Sequence, residues 1–368
     1  MSSTLFTPIA IGRMALANRV TVAAMCQYSA SAGCMTDWHL QHLCNLSLSG
    51  AAMLAIEATG VTPEGRITHG CTGLYSDANE AAMKRVVDFV RTISPIHLGI
   101  QLAHAGRKAS AQRPWEGRGP LRSDEGAWQT TAPSPVALAP GWPTPAALDE
   151  SGMNAVVGAF IAATNRAARI GFDFVEIHST HGYLLSEFLS PLANRRNDDF
   201  GGSLANRMRF PLEVARAVRR AWPREKALGA KISGTDFAEG GWTVEDAVVY
   251  TRELKALGCD YVTVSGGGVV LDAKVPVGPG YQVPYAERVK REAGITTGSV
   301  GLISAPLHAE EIVASGKADF VSLARAMLYD PRWPWHAAAV LGGDVKYPVQ
   351  YERAHPNVWP GASDWKKT

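Results

Sequence analysis

Charge is scarce in this chain: Asp, Glu, Lys and Arg make up 19% of its 368 residues, below the quarter or so usual for soluble proteins. What charge there is balances to +2 and is mixed along the chain, with no run of one sign. That excludes the basic stripe of a dedicated nucleic-acid binder. The five cysteines (Cys26, Cys34, Cys44, Cys71, Cys259) include no CxxC pair, which argues against a disulfide scaffold, an iron–sulfur cluster or a zinc knuckle. Long apolar runs are missing too. The stretches freest of charge are 38–56, broken by two His, a Gln and an Asn, and 126–148, broken by five Pro. Neither spans a bilayer. The start, MSSTLFTPIAIGRM, has no basic segment followed by an apolar core, so the expectation is a reduced cytoplasmic enzyme. No GxGxxG follows the first candidate strand, so no Rossmann unit is expected to hold a dinucleotide.

What is present is apolar: 46% of the residues, enough for a large core. Length alone suits two or three domains of about 150 residues, or one α/β barrel of about 250 with long insertions. Short runs rich in β-branched residues at 20–25, 52–58, 97–102, 174–177, 227–233, 261–265, 296–300 and 320–323 read as eight strands. Amphipathic stretches at 37–49, 79–92, 150–170, 204–222, 243–257, 285–292 and 306–315 read as the helices between them. Asp149 or Ser151, Ser203, and Thr243 with Asp246 three residues on are helix-start signals. Eight strand–helix repeats predict a closed barrel. Residues 106–149 interrupt the rhythm with twelve Gly and Pro in forty-four residues and three Trp, which predicts a functional loop or lid after strand three. A Pro- and aromatic-rich tail, 344–368, reads as a docking segment.

Polar residues gather at the strand ends, where barrels keep their sites. After strand four comes EIHSTHGY, in which His178, His181 and Tyr183 can converge. Two imidazoles can donate to an oxygen that gains charge, and a phenol can give a proton at neutral pH. An HxxH metal pair and two merely structural histidines are the alternatives. Cys26 and Tyr28, after strand one, suit either packing or ligand contact, and Gln101 either a flat amide ring or the backbone. Gly298–Leu302 with Ala324 and Arg325, after strands seven and eight, suits a phosphate. Lys231, late in strand five, adds a cation that is costly to bury without an anion. Together these suit a flavin mononucleotide across the barrel top.

The chain resembles the Old Yellow Enzyme family of FMN-dependent ene-reductases, and within it the bacterial thermophilic-like, xenobiotic-reductase-like branch. The resemblance rests on LFTPI (5–9), LANR (16–19), MCQY (25–28), EAT and PEGRIT within 57–68, IQLAHAGRKA (100–109), HSTHGYL (178–184), EFLSPLANRR with FGGS to 203, PGYQV (279–283) and PVQYER (348–353). It implies a single (β/α)8 barrel with an N-terminal hairpin, an FMN-binding domain over 1–343 that includes the 106–149 insertion, and the tail 344–368 at a subunit interface. FMN would be tightly bound, with NADPH or NADH as transient hydride donor. Ala24, Met25, Cys26, Ala58, Gln101, Lys231, Gly301, Leu302, Ala324 and Arg325 would contact FMN, with Cys26 as redox tuner and Lys231 where the family usually has Arg. Tyr28, His178, His181 and Arg353 would bind substrate, Arg353 or Trp359 reaching into a neighbouring subunit. Hydride would pass from the nicotinamide through flavin N5 to the β-carbon of an α,β-unsaturated aldehyde, ketone, imide or nitro compound, and Tyr183 would protonate the α-carbon. The resemblance thus implies an NADPH dehydrogenase or ene-reductase with small-molecule partners, a homodimer or homotetramer, and no bound metal, nucleic acid or membrane. Rival readings are a tRNA-modifying or dienoyl-CoA reductase, a metal-dependent barrel hydrolase or lyase, and a flavin-storage scaffold. Ala24 stands where a proline is frequent, and Ala103, where longer relatives have Trp, predicts a roomier pocket.

Overall fold

A computed structural model describes residues 3–362. Eight parallel strands close into a barrel: β1 (Val20–Val22), β2 (Met53–Gly60), β3 (His97–Ala103), β4 (Phe174–Ser179), β5 (Ala227–Ser233), β6 (Tyr261–Ser265), β7 (Thr296–Ser299) and β8 (Phe320–Leu323). Each pairs with its chain neighbours, and β8 closes on β1 through Val321 opposite Val20. Seven helices return the chain along the outside: α1 (Asp37–Ser47), α2 (Asp77–Ile93), α3 (Glu150–Ile170), α4 (Leu204–Ala221), α5 (Val244–Ala256), α6 (Val283–Ala293) and α7 (Pro306–Ala314). The start signals act as read: Asp149 accepts from Gly152 N–H, Ser203 from Asn206 N–H, and Thr243 from Asp246 N–H. Each satisfies a donor that the first helical turn leaves unpaired.

The floor of the barrel is a dry plug. The rings of Phe174, Tyr261 and Phe320, all fully buried, stack edge to face from β4, β6 and β8. Gly99, Gly229 and Gly298 lie beneath them, and a Cβ at any of the three would overlap a ring. An antiparallel hairpin, Ile9–Ile11 with Met14–Leu16, caps this layer by adding Ile11, Met14 and Leu16 to the same apolar cluster.

Three departures from the sequence reading bear on the site. β1 ends at Val22 rather than residue 25, and the chain turns away so that Tyr28 takes a left-handed φ of 53°. Short helices at Leu184–Leu189 and Arg325–Tyr329 were too brief to show a period, and Trp333–Leu341 (WPWHAAAVL) is too uniformly apolar to show one. The 106–149 segment is not structureless: it carries two 3₁₀ turns and a two-stranded sheet, Thr131–Ala132 with Ala146–Ala147.

Candidate active site

Register places the polar groups before any loop does. In β4, Glu176 and His178 lie opposite Gln101 of β3 and Lys231 of β5 respectively. Inside the barrel Gln101 Nε2 donates to Glu176 Oε1 at 2.6 Å, and Thr263 Oγ1 lies 3.3 Å from Glu176 Oε2. Lys231 faces the same space, and among the described residues its ammonium has no hydrogen bond or ion pair. Burial pulls its pKa down while the Glu176 carboxylate pushes it up. A buried cation left in that state wants an acceptor from a ligand.

Beyond β4 the chain turns sharply. His181 adopts φ of 61°, an uncommon conformation for a side-chain-bearing residue, and the turn brings its ring 5.3 Å from that of His178, which is itself 4.8 Å from the ring of Tyr183. Three groups five residues apart thus share one point. Burial, then the Lys231 and Lys108 charges, holds His178 well below the usual imidazole range; burial and His178 do the same to His181. Both rings are therefore neutral at pH 7. Thr180 N–H points at His178 Nδ1 at 3.4 Å, which favours the ring proton on Nε2. His181 Nε2 meets Ser265 Oγ at 2.8 Å, and Gln282 Nε2 donates to the same oxygen. Burial pushes the Tyr183 phenol well above its ordinary value, so it keeps its proton.

A lysine that sequence reasoning quoted without a role holds this turn. Lys108 Nζ donates to the carbonyls of His181 (2.7 Å) and Gly268 (3.0 Å) and lies 5.0 Å from the centre of the Tyr183 ring. Burial lowers its pKa to about 8. Its neighbour Arg107 donates to Val269 O and Val136 O, tying the inserted segment to the loop after β6. Two adjacent cations in a charge-poor chain were the available signal, whereas Glu176, Ser265 and Gln282 acquire their parts only through folding.

A cleft of about 560 Å³ runs from His181 and Lys231 past Ser265 and Gln282 to Gly301, Leu302, Ala324 and Arg325, with Ala24 on its wall. That size suits a small-molecule or cofactor site. At its far end the chain bends through Gly301 (φ 115°) and Leu302 (φ 53°), and the helix at Arg325–Tyr329 begins. The first N–H groups of a helix have no partner inside it and favour an anion. The cleft therefore offers a buried ammonium at one end and a guanidinium with free amides at the other. Those donors suit a ligand with a flat, acceptor-bearing ring and a phosphate.

The remaining candidate residues lie elsewhere. Ala58 and Gln101 face each other across β2 and β3. Met25 lines a small cavity against α1. The neighbouring Cys71 thiol, together with burial, raises the Cys26 thiol pKa well above the ordinary value. Burial raises the Tyr28 hydroxyl as well. Arg353 is exposed in the 3₁₀ turn Val349–Ala354, outside the cleft of its own chain. Trp359 lines a separate apolar hollow of about 200 Å³ with Trp335 and Tyr347. Among the described residues no group of three or more His, Cys, Asp or Glu stands ready to hold a metal, and no helix is long and apolar enough to cross a membrane.

Comparison with known proteins gives a consistent picture. The model of the NADH:flavin oxidoreductase / NADH oxidase family matches residues 4–341. An NADPH dehydrogenase of Geobacillus thermodenitrificans is 41% identical over 355 residues, which cover 96% of this chain and 99% of that protein. One of Bacillus subtilis is 37% identical, with the same two coverages. A solved structure of morphinone reductase in complex with tetrahydroNAD superposes with a TM-score of 0.75 at 27% identity, covering 94% of this chain and 92% of that one.

Proposed function

The chain belongs to the NADH:flavin oxidoreductase / NADH oxidase family, the Old Yellow Enzyme family that its motifs resemble, with FMN as cofactor and NAD(P)H as hydride source; on that premise we propose that it reduces activated C=C bonds of α,β-unsaturated aldehydes, ketones, imides and nitro compounds. The observation that carries this reading is the convergence of two neutral imidazoles and one protonated phenol beside a cleft with an unpaired lysine. Bound FMN supplies the chemistry of accepting hydride from the nicotinamide and yielding it to the substrate's β-carbon.

The protein supplies the rest. His178 and His181 hold the carbonyl or nitro oxygen through their ring N–H groups and stabilise the charge it gains, which is worth more in a buried site than in water. Being neutral, each keeps one ring N–H to donate without the cost of burying a charge. Tyr183 delivers its hydroxyl proton to the α-carbon; a phenol kept protonated by burial is ready at any physiological pH. Lys108 keeps the turn and the Tyr183 ring in register. Lys231 would hold the flavin with its buried positive charge, a point charge in place of a planar guanidinium fork. Gly301, Leu302, Ala324 and Arg325 would hold the phosphate, Ala24, Met25, Cys26, Ala58 and Gln101 would contact the ring, and Tyr28 would join the substrate's oxygen site.

The barrel over 1–343 does this alone except at its rim, where Arg353 or Trp359 of the tail 344–368 completes the site of a second copy in a cytoplasmic homodimer or homotetramer. Purified protein should be yellow, and its NADPH oxidation should accelerate on adding 2-cyclohexenone, N-ethylmaleimide or a nitroalkene. Oxidation indifferent to all three acceptors contradicts the proposal.

A further inference from the structure

Residues 110–121, within the insertion after β3, form a narrow finger: Leu121 N–H donates to Ser110 O (2.7 Å) and Gln112 N–H to Gly119 O (2.8 Å). Its root is pinned where Ala111 bridges to Thr68 and to Pro120. Its tip is held by Glu116, whose carboxylate accepts from Arg113 N–H at 2.9 Å and lies 3.6 Å from His69 Nε2. So anchored, the tip does not need Trp115 for its own packing, and that side chain is 64% exposed.

What Trp115 does touch is Tyr28: the rings meet edge to face, 6.0 Å apart at 81°. Gly70 makes this approach possible, because a Cβ there would collide with Tyr28 O and lie 2.6 Å from Arg113 Nε. Ala30 N–H donates to Gly70 O at 2.8 Å, fastening the turn that carries Tyr28 to the strip beneath the finger. Tyr28 is the residue proposed above to join the substrate's oxygen site, so the indole stands one ring further out from that site. An aromatic edge thus runs from Tyr28 out to Trp115.

We propose that Trp115 is a specificity-determining residue, the outer wall against which a flat aryl substituent on the substrate packs. A rigid finger holding a largely exposed indole against the outer side of Tyr28 suits a substrate whose reacting double bond is conjugated to an aromatic ring. Aromatic pairs gain stabilisation beyond the area they bury, which a methyl substituent cannot collect. The assignment rests on the proposed reduction of activated double bonds.

The test compares two aldehydes with the same reacting group, trans-cinnamaldehyde and crotonaldehyde, on the FMN-loaded enzyme. Trp115→Ala should lower the ratio of kcat/KM for cinnamaldehyde over crotonaldehyde by about 3- to 10-fold, the change lying in KM. Trp115→Phe should restore most of the ratio. An unchanged ratio in Trp115→Ala, or a loss confined to kcat, overturns the proposal. Should the unaltered enzyme reduce neither aldehyde, the reading of the reaction fails, and equilibrium dialysis of cinnamaldehyde then decides the role of Trp115. Weaker binding to Trp115→Ala than to the unaltered protein upholds it, and equal binding overturns it.

Discussion

The two ends of one barrel are built on opposite terms. At the floor Phe174, Tyr261 and Phe320 fill the interior over three glycines, and the hairpin seals them from water. At the mouth, only a few residues further along the same strands, stand His178, Lys231, Glu176 and Gln101, all buried and all polar. The left-handed φ values of Tyr28, His181 and Leu302 lie there too. Burying polar groups and bending the backbone both cost stability. The barrel carries those costs because its floor and its ring of helices over-determine the shape, so stability and chemistry are separated along the strand axis.

That separation can be broken from either end. The largest effect belongs to the floor: Phe174→Ala should cost about 3–5 kcal/mol, as for other buried aromatic truncations. Denaturant titration should show it, while the folded fraction keeps its kcat. A matching loss of kcat would mean that floor and mouth are coupled. Next, replacing His178 and His181 together by Ala should lower kcat/KM for 2-cyclohexenone by at least about 10²-fold, the size seen when an oxyanion donor is removed. Binding of phenolic ligands should weaken with it and the melting temperature should not fall; a fall would make the pair structural.

A smaller effect sharpens the contrast. Burial raises the Glu187 carboxyl to about 8 although Arg107 and Lys108 pull it down, and its Oε2 has no hydrogen-bond partner. Its pKa in the fold lies above the unfolded value, so the fold binds the extra proton. The associated stability is complete below about pH 4 and is lost as pH rises towards 8. Glu187→Gln should therefore flatten the decline in melting temperature between about pH 5 and 8. Parallel slopes for the two proteins would remove Glu187 from the account.

The same division explains what the sequence revealed. The strands were legible because both their faces are buried, which leaves continuous β-branched runs such as VTV in β1 and YVTVS in β6. The long helices were legible through their caps. At the mouth the motif HSTHGY announced its chemistry, but the partners that position it did not. Ser265, Gln282 and Glu176 are common residue types that become neighbours of His181 and Gln101 only when the ends of β3, β4 and β6 meet. Lys108 reaches the Tyr183 ring from a different strand end altogether. The short helix at Leu184–Leu189 has too few turns to betray a period, and no glycine gave warning of the left-handed turn at Tyr28.

The central claim is that Tyr183 hands over the proton in the substrate half of the cycle and takes no part in the nicotinamide half. Anaerobic stopped-flow of the Tyr183→Phe protein measures both, reading flavin absorbance first with NADPH and then with 2-cyclohexenone. The account predicts that reduction by NADPH stays within about two-fold of the unaltered protein, while re-oxidation by the enone slows by about 10²-fold or more, the usual contribution of a positioned acid. Equal slowing of both halves, or re-oxidation at an undiminished rate, would contradict it.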